Sequence, residues 1–181
     1  MIRAAKEPVS GRAAEPQVLV RDGDHLIYVQ GRLLVAVWKL ETRPDAVKQL
    51  VQFAADLAAK LGPPRFCLLV IIEESAIPPP AAVRADLATM LRLSTPHLIR
   101  FATVIEGTGF RAAAVRGVMT SIAVLSRQEF PHRVFSNAET ALLWLVEGLA
   151  SELGPALGVG ELVRALDYVR RVGLSGNTAA R

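Results

Sequence analysis

FCLLVIIEESAIPPP, residues Phe66 to Pro80, decides the fold. The run Phe66–Ile72 is apolar at every position, with no alternation. A strand of that kind has both faces covered, as in the interior of an α/β sheet. Glu73, Glu74 and Ser75 stand where the strand leaves the sheet. Pro78–Pro80 stiffen the exit and suit the first turn of a helix.

Upstream, residues 1–16 hold no periodic apolar pattern and contain Pro8, Gly11 and Pro16, which reads as a flexible tail. Val18–Arg21 and His25–Val29 are short strands, joined by the turn signal Asp22-Gly23-Asp24. Leu33–Leu40 is a longer strand after the Gln30-Gly31 turn. Thr42-Arg-Pro-Asp45 starts a helix, with Thr42 as the cap, Pro44 in the first turn and Asp45 favoured by the dipole. Val47, Leu50, Val51, Ala54, Leu57, Ala58 and Leu61 give it one apolar face, and Gly62-Pro63-Pro64 ends it.

Downstream, a second helix follows Pro80 and runs to Leu93. A strand over Leu98–Glu106 comes next, then a third helix over Phe110–Leu125 capped by Thr108, and a strand over His132–Phe135. Ser136-Asn-Ala-Glu139 has the spacing of a capping box and opens a fourth helix, Ala138–Leu149. Past Gly154-Pro155, a last helix over Val159–Val172 turns Leu162, Val163, Leu166 and Val169 inward and Arg164, Arg170 and Arg171 outward. Its stripe is expected to cover the chain's own sheet or a partner. Residues 173–181 read as a frayed end.

The order β-β-β-α-β-α-β-α-β-α with short links predicts an α/β fold. A β-meander enters a mixed, mostly parallel sheet, and an extra C-terminal helix follows. The expected organisation is a tail (1–16), one α/β domain (17–150), a helical extension (151–172) and a second tail (173–181). Loops at the carboxyl ends of parallel strands converge on one edge, where ligands bind in such sheets. Lys39, Glu41, Thr42, Glu73–Ser75 and Glu106–Arg111 share that edge.

Composition narrows the function classes. The chain has 181 residues, 51% hydrophobic and only 6% aromatic, so its core is aliphatic. Its net charge is +4, of which the tail and Arg181 supply half; the remainder gives no case for nucleic-acid binding. No apolar run is long enough for a membrane span, and the first residues lack a signal-peptide core. The lone Cys67 excludes an internal disulfide and fits a reducing cytoplasm, the expected location.

Reactive chemistry is sparse. Glu73 and Glu74 are successive residues that point to opposite faces, which argues against an acid–base pair, although Glu106 has the position to face one of them. Gly107-Thr-Gly109-Phe-Arg111 leaves a strand and opens a helix. That is the context of an anion nest, with Thr108, Arg111 and Arg116 near it, but it lacks the phosphate-binding glycine spacing and lysine. A phosphate on Ser75 would gain from a helix N-terminus but would meet Glu73, Glu74 and three prolines without N–H groups. His25, His97 and His132 have no ligand-spaced partners, so no metal is expected. No serine lies in a nucleophile elbow. Cys67, Trp38 and Trp144 read as core residues. No catalytic set and no cofactor are expected.

The element order, with GTGFRAAAVRG in the third-helix region and RVFSNAETALLWL at the end, resembles the STAS-like (SpoIIAA-like) family, related to SEC14-type lipid-binding domains. The likeness covers residues 17–150. It implies a non-enzymatic regulatory module that binds a protein partner or itself as a dimer, with a phosphorylatable serine after the central strand. At that place the family's Asp-Ser-Ser-Gly-like motif corresponds to Glu74-Ser75-Ala76-Ile77, in which only Ser75 matches. Ser75 is therefore the candidate phosphoacceptor, and Glu73, Glu74, Thr108, Arg111 and Arg116 the candidate anion- or partner-binding edge. The alternative is a lipid or small-metabolite site in a cavity between the sheet and its alanine-rich helices.

Overall fold

The computed structural model describes residues 15–61, 66–109, 113–117, 130–153 and 158–175. The strands are β1 (Gln17–Arg21), β2 (His25–Gln30), β3 (Leu33–Trp38), β4 (Phe66–Ile72), β5 (Leu98–Ile105) and β6 (His132–Phe135). The helices are α1 (Pro44–Leu61), α2 (Ala81–Ser94), α3 (Ala138–Leu153) and α4 (Val159–Ser175), with a 3₁₀ turn over Thr95–His97 and a helical stretch over 113–117.

The six strands form one sheet in sequential order. β1, β2 and β3 pair antiparallel, and β3 to β6 pair parallel. The fold is therefore mixed α/β with a mostly parallel sheet, and the meander enters it as the sequence predicts. All seven residues of β4 are buried, because its two faces belong to two cores. Leu68, Val70 and Ile72 pack with Leu50 of α1 and Met90 and Leu91 of α2. Cys67, Leu69 and Ile71 pack with Leu142 and Leu145 of α3 and Leu162 and Leu166 of α4. Truncating Leu69 to alanine should cost about 2–5 kcal/mol, as for other well-packed core positions.

α4 is thus part of the second core and covers the chain's own sheet. Leu162, Leu166 and Val169 are buried against the layer that holds Leu26 and Tyr28. α3 runs past the expected Leu149 to Leu153, and α4 past Val172 to Ser175.

Two helix starts differ from expectation. α1 begins at Pro44, so Arg43 takes the cap position and its carbonyl accepts the Val47 N–H at 3.2 Å. Thr42 is buried one residue too early to cap. α3 is capped by Asn137, not Ser136: its Oδ1 accepts the Thr140 N–H at 2.9 Å, the bond that satisfies an otherwise orphaned donor. The first three residues of the expected frayed end, 173–175, belong to the helix instead; the expected stop at Gly62–Pro64, residues 1–14 and 176–181 of the two tails and most of the Phe110–Leu125 helix lie outside the described residues.

Candidate functional site

The carboxyl ends of β3, β4 and β5 lie side by side because Trp38, Ile72 and Ile105 are in register. The β1–β2 turn reaches the same end, since β1 runs parallel to β3. Four loops therefore meet there, and α4 passes over them.

The centre of this edge is an ion triad. Arg170 donates from Nη1 and Nη2 to the two oxygens of Glu106, each at 2.9 Å, and from Nη2 to Glu73 Oε1 at 2.7 Å. A planar guanidinium suits two carboxylates held one strand spacing apart. Hydrogen bonding to Glu106, and then to Glu73, outweighs desolvation and raises the guanidinium pKa further. Arg170 was expected to face outward. It turns in because its helical phase places it beside Leu166. Glu106 does face one of the strand-end carboxylates, and that one is Glu73.

Glu74 points elsewhere. It stands beside Gly107, whose φ of 84° belongs to the left-handed region open to glycine. A Cβ built on Gly107 would lie 2.7 Å from Glu74 Cγ. Glu73, Glu74, Glu106 and Thr108 line one recess of only about 10 Å³. Three carboxylates therefore stand beside the expected anion nest, two of them bonded to Arg170. Thr108 is exposed. Arg116 is exposed on the 113–117 helical stretch. Arg111 lies outside the described residues.

Ser75 is exposed, and its hydroxyl donates to the Lys39 carbonyl at 2.6 Å. It does not head a helix. α2 begins at Ala81, beyond the proline strap, and Pro80 has extended dihedrals (φ −64°, ψ 164°). The strap is tied to the β3 end: the Ile77 N–H bonds the Leu40 carbonyl at 2.8 Å. Leu40 and Ile77, the two residues so joined, are 46% and 48% exposed.

A second polar cluster was not found from the sequence. Asp22 Oδ1 accepts the N–H groups of Asp24 (2.8 Å) and His25 (2.7 Å), as an aspartate in such a turn does. The Arg43 guanidinium bridges Asp22 at 2.8 Å and Asp24 at 3.0 Å. His25 is fully buried, edge-on to Trp38. Its Nε2 accepts the Arg43 N–H at 3.3 Å, so the ring proton lies on Nδ1, facing Asp22. Partial burial pulls the Asp22 pKa up, but the hydrogen bonds from His25 and Asp24 prevail and lower it. Asp22, Asp24 and His25 bring ligand-type atoms within 4.8 Å of one another, a grouping that histidine spacing alone does not reveal. Arg43 supplies the positive charge that these two carboxylates need. The cluster clamps the start of α1 to the β1–β2 turn.

Cys67 is buried, and burial pushes its thiol pKa up to about 12. Trp38 and Trp144 are buried, and Arg100 and Arg133 stack on the Trp144 ring. The apolar cavity walled by Trp38, Leu50, Met90 and Phe101 measures about 40 Å³, far below the volume of a typical ligand pocket. The alanines do leave space, but outside: a groove of about 380 Å³ runs between α1 and α2, along Ala54, Ala55, Ala58 and Ala59. Among the described residues, no helix is long and apolar enough to cross a membrane.

No protein-family model and no curated protein matches the chain. Among solved structures, it is similar to an uncharacterized protein of the DUF3478 family with a SpoIIAA-like fold, from Shewanella loihica PV-4. The two are 15% identical, with a TM-score of 0.44, over 75% of this chain and 97% of that one.

Proposed function

We propose that the chain is a non-enzymatic interaction module of the STAS-like type, which acts by docking a protein partner on its carboxyl edge. The observation that carries this is that Leu40 and Ile77, both exposed apolar residues, are tied to each other by a backbone hydrogen bond at the start of the proline strap. Apolar side chains held rigidly at a loop surface form a docking patch at low entropic cost. The interior of the edge supports the same reading. Glu73 and Glu106, the carboxylates best placed for acid–base work, are both committed to Arg170.

The test is co-purification after in-cell crosslinking, comparing the native chain with Ile77→Asp. Leu143→Asp, at an exposed position on α3, is the control. A partner should be recovered with the native chain and the control, and lost with Ile77→Asp. Equal recovery with Ile77→Asp, or no stoichiometric partner at all, would refute the proposal.

A further inference from the structure

The open side of α4 carries a second surface, away from the carboxyl-edge loops. Arg170 and Tyr168 are two residues apart, about 200° of helical turn, so they lie on opposite flanks of α4. Arg170 faces the ends of β4 and β5, where it meets Glu73 and Glu106. The flank of Tyr168, shared by Glu161, Ala165 and Val172, therefore faces the other way, toward β1. β1 is the sheet edge, and among the described residues it pairs with β2 alone. Val18 and Arg21 pair with Tyr28 and Leu26, which belong to the core under α4, so both stand on the α4 side of the sheet. Arg21 reaches the helix itself, donating from Nη2 to the Val169 carbonyl at 3.4 Å.

Two properties of this flank say what fits it. It is apolar in the middle. Val18, Tyr168 and Val172 are three of the eight large apolar residues exposed among the described residues, and Tyr168 is 59% exposed. Its charges are also ordered. Glu15 and Glu161 stand at the amino ends of β1 and α4, and Arg21 and Arg171 at their carboxyl ends. The two elements run the same way, since α4, like β1, ends at the carboxyl edge. Arg164 and Asp167, nearer the outer crest of α4, are of opposite sign and offset each other. Asp22 and Asp24 are held by Arg43 on the α1 side of the sheet, away from this flank. A surface negative at one end, apolar between and positive at the other is complementary to its own copy turned end for end. A parallel copy would set acid on acid and arginine on arginine. Strand pairing is not the means of contact, because the register of β1 shifts between Val18 and Val20, a feature that hinders sheet extension.

We infer that this flank of α4, with the neighbouring β1 side chains, binds a second copy of the chain, the two α4 helices lying antiparallel about a two-fold axis near Ala165 and Tyr168. Ala165 and Tyr168 of one copy pack on Tyr168 and Ala165 of the other, and Glu161 of each meets Arg171 of the other. None of these residues belongs to the Leu40–Ile77 patch, so this inference and the docking reading stand or fall separately.

Sedimentation equilibrium of the full chain, from about 1 to 200 µM, measures the association. Thermal unfolding of each variant separates a loss of folding from a loss of association, and Val172→Asp serves as a second apolar variant. The chain should show a monomer–dimer equilibrium that weakens about tenfold or more with Tyr168→Asp. Glu161→Arg and Arg171→Glu should each weaken it several-fold, and the double variant Glu161→Arg/Arg171→Glu should restore it, because the ends are then complementary again. A monomer at every concentration overturns the inference, whether the flank is covered by another segment of the chain, by a different protein or by nothing. A dimer indifferent to both Tyr168→Asp and Val172→Asp overturns the choice of surface. A dimer weakened by Tyr168→Asp that the double reversal fails to restore overturns the antiparallel arrangement.

Discussion

Replacing Arg170 by methionine tests whether the triad holds α4 to the sheet. Methionine keeps most of the aliphatic stem, so packing beside Leu166 changes little. What is lost is three charge-assisted hydrogen bonds, at 2.7, 2.9 and 2.9 Å. Such bonds are worth about 1.5–3 kcal/mol each when well formed. Here the side chains of Arg170, Glu73 and Glu106 remain 25%, 26% and 30% exposed, so water and salt screen part of that gain. The substitution also leaves two carboxylates facing each other with no cation between them. We expect a net loss of about 2–4 kcal/mol, and for a chain of this length a fall in Tm of about 5–15 °C. Urea and thermal unfolding followed by circular dichroism measure both. Adding Glu73→Gln to Arg170→Met should recover part of the loss, because one of the two opposed charges is removed. Arg170→Lys should fall between the native chain and Arg170→Met, since an ammonium keeps the charge but not the fork. If Arg170→Met is within about 0.5 kcal/mol of the native chain, the triad is a solvated surface pair and α4 is held by Leu162, Leu166 and Val169 alone.

Three further outcomes follow from the same geometry. Gly107→Ala should destabilise by about 1–2 kcal/mol or more, since it combines a left-handed backbone with a Cβ in contact with Glu74. Gly31→Ala, at φ 57° but with nothing near, should cost less in the same urea titration. Cys67 should resist a thiol reagent at pH 8 in the folded chain and react fully in guanidinium, because it is buried and its thiol pKa is pushed up to about 12. Modification of the native protein within minutes would contradict that placement. Burial of His132 against Phe101 lowers its pKa from 6.5 to about 4. Between those values the unfolded chain binds the proton that the folded chain refuses, so stability should fall as pH drops from 6.5 to 4. The expected loss is on the order of 1–3 kcal/mol after allowing for partial exposure, and His132→Phe should flatten that limb of the pH–stability curve.

The parts of the fold that were legible were those where one residue type settles one local question. β4 reads directly, because seven apolar residues in a row leave no solvent face. The helices read from their spacing. The edge did not read, because its contacts join distant segments. Arg170 is 64 residues from Glu106 and 97 from Glu73. Yet its phase was a signal. On a 3.6-residue helix it falls between Leu166 and Val163, within the buried stripe, and a charged residue there must find partners on the surface it covers. Its charge suggested solvent, whereas its position required carboxylates. Ser75 shows the opposite case. The motif comparison assumes a helix directly after the serine, but the three prolines delay α2 to Ala81 and turn the serine hydroxyl onto Lys39. The His25 cluster depends on β1 running parallel to β3, which brings the Asp22 turn to the start of α1, and no local pattern encodes that pairing. These contacts have a functional consequence. The position where parallel sheets usually hold a ligand is closed here by the chain's own Arg170, Glu73 and Glu106. Under the proposed docking function, recognition at this edge falls to its outer rim, where Leu40 and Ile77 are exposed.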